Sequence, residues 1–89
     1  MLAYLQPKYE NVKSYYKKAK IDIFFDQLTL MSYETPIISL NVKTNELRFI
    51  ACPDYWSHTT LRHMKEFLRQ NGIDIRTKKE LLKMYQNTK

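Results

Sequence analysis

The chain has 89 residues, 44% hydrophobic and 27% charged, with one glycine and three prolines, so we expect one folded domain over residues 1–89 rather than a disordered or low-complexity chain. Its single cysteine, Cys52, excludes an intrachain disulfide, and no uncharged run nears the ~20 residues of a membrane-spanning helix. Lys and Arg number 15 against 9 Asp and Glu, a net charge of +6 that favours nucleic acid, an anionic membrane or an acidic protein as partner, although solubility alone also accounts for such a balance.

Residues 8–19, KYENVKSYYKKA, carry Tyr9, Val12, Tyr16 and Ala19 at helical spacing, with Pro7 suited to the first turn. This predicts a short helix whose Tyr9 and Tyr16 cover one side of the sheet. Tyr15 falls off that face and is the better interface candidate. The alternation of Ile21, Ile23 and Phe25 predicts a strand over 20–25, followed by a turn at Asp26-Gln27. Residues 28–42 are rich in β-branched and aromatic side chains and predict two strands or one long broken strand. Pro36 marks an edge, a bulge or a strand start there. Lys43-Thr44-Asn45 reads as a turn, with Asn45 able to enter the left-handed region, and Glu46–Cys52 as an antiparallel partner strand.

From Ser57 the period changes. Leu61, Met64, Phe67 and Leu68 form the apolar face of an amphipathic helix that Asn71-Gly72 ends. Thr77 and Glu80 stand at capping-box spacing before a short last helix with Leu81, Leu82, Met84 and Tyr85. The expected fold class is α+β, a small antiparallel sheet of two to four strands packed against two or three helices.

The segment PDYWSHTTLRH places Ser57 at a helix N-cap, with its hydroxyl accepting from Thr59 or Thr60, and Trp56 where it can pack on Leu61 as a hydrophobic staple. One hydroxyl suffices for a cap. Thr59 and Thr60, with Arg62 and His63 a turn later, also fit an anion site at the free amides of the helix start. Both readings stand on the sequence alone. Arg62, Lys65 and Arg69 run along one side of the same helix, with Arg76, Lys78 and Lys79 beyond. Glu66 interrupts them at a spacing suited to an internal pair with Arg62. A helix-turn-helix reading of 57–86 fails on the long connection and the lack of base-reading side chains.

Cys52, Asp54, His58 and His63 match no zinc spacing, and a Cys52–histidine pair lacks an orienting third group. One glycine excludes a glycine-rich phosphate loop. We therefore expect no metal, no cofactor and no enzymatic activity. The lone cysteine, and a start MLAYLQPKYE without the features of a signal peptide, suggest a soluble cytoplasmic protein that binds no membrane. A homodimer is possible for so small a core.

The segments Ser32–Ile37, SYETPI, and Trp56–His63, WSHTTLRH, with Phe67-Leu68 after them, together resemble a family of small, mostly uncharacterised proteins of phages and bacterial mobile elements, patterned S-Y-x-T and W/Y-S-x-T-T-x-R-H. The resemblance spans roughly residues 30–72 and implies an origin, not a reaction. It draws interest to Ser32, Tyr33, Thr35, Trp56, Ser57, Thr59, Thr60, Arg62 and His63. A rival explanation makes these hydroxyls a fold-specifying network, with Tyr33 and Thr35 on one sheet face bonded to the helix start. The leading expectation is a small accessory or regulatory protein that binds nucleic acid through phosphate contacts from Ser57, Thr59, Thr60, Arg62, Lys65 and Arg69. The alternative is a protein-binding module that modulates a host factor.

Overall fold

The computed structural model describes residues 1–88. Five strands, β1 (Leu2–Tyr4), β2 (Ala19–Phe24), β3 (Gln27–Ser32), β4 (Thr35–Asn41) and β5 (Glu46–Phe49), form an antiparallel sheet in the order β1-β2-β3-β4-β5. Helices α1 (His58–Gln70) and α2 (Lys78–Asn87) follow, after a 3₁₀ turn at Pro53–Tyr55. The fold is α+β. The sheet holds five strands where two to four were expected. The addition is β1, whose three residues are too few to show alternation and which is recognisable only through its pairing with Lys20–Asp22 of β2.

The sheet buries one face. Leu30, Ile38 and Leu40 pack with Leu61, Met64, Phe67 and Leu68 of α1 and Leu81 of α2. Burying such aliphatic side chains stabilises a fold by about 1.5–3 kcal/mol each. Phe49, Trp56 and Tyr85 have ring centroids 5.5–5.8 Å apart, so α2 is tied to β5 through aromatic contacts. Trp56 also donates from Nε1 to the Ala51 carbonyl at 3.0 Å. Trp56 and Leu61 both join the core, as a staple requires.

Local chemistry sets most boundaries. Ser57 caps α1 by accepting from the Thr60 N–H, and Thr77 and Glu80 form the full capping box of α2. Gly72, at φ +85°, takes the left-handed conformation after the Asn71 cap, where a side chain would be strained. Asn45 has φ 62° in the β4–β5 turn. The β2–β3 turn sits at Phe25-Asp26, one residue before the expected Asp26-Gln27, because Phe24 pairs with Gln27. Pro36 stands at a bulge: Leu30 pairs with Ile38 and Met31 with Pro36, which leaves Ile37 as the extra residue.

The predicted helix over 8–19 does not form. Residues 5–18 are an irregular loop packed on α1, and only Ala19 of the predicted span enters regular structure, as the start of β2. Three consecutive amides of this loop bind a side chain of α1 instead of continuing toward helical partners, and Tyr16 and Lys17 have φ 51° and 66°. The tyrosines are accordingly reversed from expectation. Tyr15 is buried at 5% exposure, whereas Tyr9 and Tyr16 face solvent at 48% and 72%.

Candidate functional site

The start of α1 is built on a chain of hydroxyls. Ser57 Oγ accepts from the Thr60 N–H and donates to Thr60 Oγ1, both at 3.1 Å. Thr60 Oγ1 lies 3.1 Å from Ser32 Oγ, and Ser32 Oγ lies 2.9 Å from His63 Nδ1. Each hydroxyl has one proton to give. Thr60 Oγ1 has two lone pairs and can take a second proton beside that of Ser57, so the Ser32 hydroxyl donates either to Thr60 Oγ1 or to His63 Nδ1. In the first arrangement the imidazole proton sits on Nδ1 and in the second on Nε2, and in both Nε2 has no hydrogen-bond partner. Ser32, Thr60 and His63 are 2%, 4% and 1% exposed, so these three groups bond to one another away from water. Burial, and then the positive charge of Arg62, hold the imidazole pKa down to about 4, so His63 is neutral at pH 7.

The network joins β3 to α1, but through Ser32 and not through the pair expected from the sheet alternation. Thr35 is exposed, and Tyr33 occupies the β3–β4 turn. Tyr33 and Glu34 have φ 52° and 70° between the paired residues Ser32 and Thr35, a two-residue hairpin with both central residues in the left-handed region. The Tyr33 ring lies 6.1 Å from that of His63, centroid to centroid, and Lys18 Nζ lies 5.8 Å from its own.

Glu66 organises the other side. Its carboxylate accepts from the backbone N–H groups of Lys8, Tyr9 and Glu10 at 2.9–3.1 Å and from Gln70 Nε2 at 2.7 Å. Burial alone would raise this carboxyl's pKa. The bonds from Gln70 and the three amides outweigh burial and hold it below the usual carboxylate value. The expected Arg62–Glu66 pair is therefore absent: Glu66 points into the amides of the N-terminal loop, and Arg62 pairs with Glu10. Glu10 also accepts from Tyr15 Oη at 2.6 Å, and burial followed by that bond raises the phenol pKa well above its ordinary value. Tyr15 packs edge-on against His63 at 4.7 Å.

Two clefts result, and they share Arg62. The smaller, about 150 Å³, is lined by Arg62, Lys65, Arg69 and Arg76 with Glu10 and Glu66. Arg69 lies over the Tyr9 ring at 4.7 Å and 3.9 Å from Asp74, which also binds Arg76 at 3.1 Å. The larger, about 430 Å³, opens at the first turn of α1 between Lys13, Lys18, Thr59, Arg62, Tyr16 and Tyr33, with His63 in its wall.

Of the residues expected to contact phosphate, Arg62, Lys65 and Arg69 thus share the smaller cleft, while Thr59 and Arg62 line the larger. Ser57 is exposed and occupied as a cap, and the Thr60 hydroxyl is turned inward. Lys13, Lys18 and Tyr16 complete the larger cleft without having been placed there from sequence, whereas His63 was expected at an anion site there and Tyr33 as a bonding partner of the helix start. The signal that could have found them is the run SYYKK beside SYET, two tyrosine-bearing segments at the facing ends of paired strands. Among the described residues, no group of three or more His, Cys, Asp and Glu is placed to hold a metal ion, and no helix is long and apolar enough to cross a membrane.

No curated protein and no solved structure matches the chain. One family model does, over residues 3–83, which takes in β2 to β5, all of β1 but Leu2, all of α1, the clefts and the first part of α2. The chain belongs to the family described as Family of unknown function (DUF8033).

Proposed function

We propose that this protein is a small accessory or regulatory factor that binds nucleic acid through phosphate contacts along α1. The observation that carries the reading is the shared position of Arg62 between two clefts, which joins Lys13 and Lys18 to Lys65, Arg69 and Arg76 in one basic band. Six cations there face three carboxylates, Glu10, Glu66 and Asp74, and Glu66 is already committed to backbone amides. The band therefore keeps a positive excess, as the whole chain does. The resemblance to small phage and mobile-element proteins agrees with an accessory role.

Fluorescence anisotropy with labelled oligonucleotides tests this. Binding at low salt is expected to weaken roughly a hundred-fold between about 50 and about 200 mM salt, as about four phosphate contacts require. Charge reversal at Lys65 and Arg76 together should abolish most of it. Absence of binding at low salt rejects the reading.

A second reading, a protein-binding module modulating a host factor, is favoured by Phe24 and Phe25 at the tip of the β2–β3 hairpin. They are 69% and 87% exposed, beside the half-exposed Val42. A partner captured from nuclease-treated lysate and lost in Phe25→Ser, together with no affinity for nucleic acid, would select it.

A further inference from the structure

We infer that the larger cleft at the start of α1 holds a single unpaired nucleotide, so that the preferred ligand is single-stranded nucleic acid rather than duplex. This deepens the nucleic-acid reading and rests on it.

Two tight turns build the rim, and they are alike. Residues Tyr15–Lys18 form a turn closed by the Lys18 N–H to the Tyr15 carbonyl at 3.0 Å, with Tyr16 and Lys17 both at positive φ. Residues Ser32–Thr35 form the other, with Tyr33 and Glu34 both at positive φ. The turns lie side by side, since Ala19 pairs with Ser32 and the Tyr33 N–H donates to the Lys18 carbonyl at 2.9 Å. Such positions favour asparagine or glycine, and a bulky side chain is strained at each. Both turns nonetheless carry tyrosine at the first left-handed position. Neither ring is repaid by burial, for Tyr16 and Tyr33 remain 72% and 49% exposed. Exposed rings on a rigid turn, at the mouth of a basic cleft, are what an unstacked base needs.

The floor supplies the other half of a nucleotide site. Lys13, Lys18 and Arg62 provide positive charge for a phosphate, and Thr59 adds a hydroxyl from the first turn of α1. The His63 ring, in the cleft wall and 1% exposed, has a buried Nε2 with no partner. That atom calls for a partner on the ligand: a phosphate oxygen or base carbonyl where it carries the proton, a base N–H where it does not. The half-exposed Tyr33 ring lies 6.1 Å from the imidazole, centroid to centroid, on the same cleft. At about 430 Å³ the cleft is within the size range of small-molecule sites.

The test compares a labelled oligo(dT) strand, a duplex of the same length, a nucleoside monophosphate and inorganic phosphate on the full chain. The strand is expected to bind tighter than the duplex. Tyr33→Asn suits its turn better than tyrosine while removing the ring. It should weaken the strand about ten-fold and leave the duplex unchanged. The wild-type His63 Nε2 resonance should shift with the strand. A shift with the monophosphate as well identifies the nucleotide itself as the ligand, whereas a shift with inorganic phosphate alone would overturn the role given to the base. Equal affinity for strand and duplex, with no effect of Tyr33→Asn, removes this inference and leaves the phosphate-binding reading intact. Failure of both strand and duplex to bind removes both.

Discussion

The N-terminal loop, residues 5–18, and the start of α1, residues 57–63, meet at one cleft but are ordered by opposite means. The start of α1 takes its shape from contacts close in sequence, Ser57 to Thr60, the Pro53–Tyr55 turn, and Trp56 to Ala51, and is then tied to β3 through Ser32, which meets Thr60 and His63. The loop is held by partners more than fifty residues away, namely Glu66 for its amides and Arg62 for Glu10. The first kind of order is written in neighbouring residue types. The second appears only once the chain is folded, and here it replaces a helix that the spacing of Tyr9, Val12, Tyr16 and Ala19 would otherwise suggest.

The long-range order of the loop depends on Glu66. Glu66→Ala removes the acceptor for three loop amides and is expected to cost about 2–4 kcal/mol, read as a lower midpoint in urea denaturation. Amide exchange at Lys8, Tyr9 and Glu10 should accelerate, while exchange in α2 should respond only to the loss of global stability. A loss below about 1 kcal/mol, with exchange unchanged, would mean that the loop is ordered by something other than this carboxylate.

pH acts at the place where loop and helix touch. His63 is faced by Arg62 on its own helix, by Lys18 and Tyr15 from the loop with Glu10 close by, and by Tyr33 from the β3–β4 turn. Its pKa is about 4 when folded, against 6.5 for the free side chain. The unfolded chain therefore binds the extra proton first as pH falls. Stability is complete above about pH 6.5 and declines from there to about pH 4, by up to about 3 kcal/mol. The depressed Glu66 carboxyl acts in the same direction at lower pH, since its contribution is lost as it protonates. Urea midpoints at pH 7.5 and 5 and the titration of the His63 ring protons by NMR check this. A His63 midpoint near the ordinary value would contradict the buried, neutral ring.

The smallest effect separates two caps. Ser57→Ala and Thr77→Ala each remove one N-cap hydroxyl, worth about 1 kcal/mol. Ser57 also belongs to the hydroxyl chain that ends at His63. Its loss should reach about 2 kcal/mol and change the balance of His63 tautomers, seen in the ¹⁵N shifts of the ring. Equal losses and an unchanged tautomer would reduce Ser57 to a cap alone.

Sequence reading went furthest where a feature and its cause are adjacent. Both helices of the C-terminal half, the Ser57 cap, the Thr77–Glu80 box, Gly72 and Asn45 are all read from neighbours and all found. The bulge at Pro36 was one of three options that proline allows. The misses share another cause. β1 is defined by its partner strand, Tyr15 is buried by a histidine far along the chain, and Glu66 prefers loop amides to the arginine one turn away. The basic side of α1 was legible from the spacing of Arg62, Lys65 and Arg69. The tyrosine turns that complete the larger cleft were not, because no local pattern says that Tyr16 and Tyr33 stand on adjacent hairpin ends.

The central claim is that the cleft at the start of α1 receives nucleic acid. A ¹⁵N-resolved NMR titration of the full chain with an oligo(dT) strand at low salt tests it directly. The account predicts salt-sensitive shifts centred on Thr59, Arg62, His63, Lys18 and Tyr33, with Phe24 and Phe25 unaffected. Shifts confined to the Phe24-Phe25 tip, or no shifts at all, would contradict it.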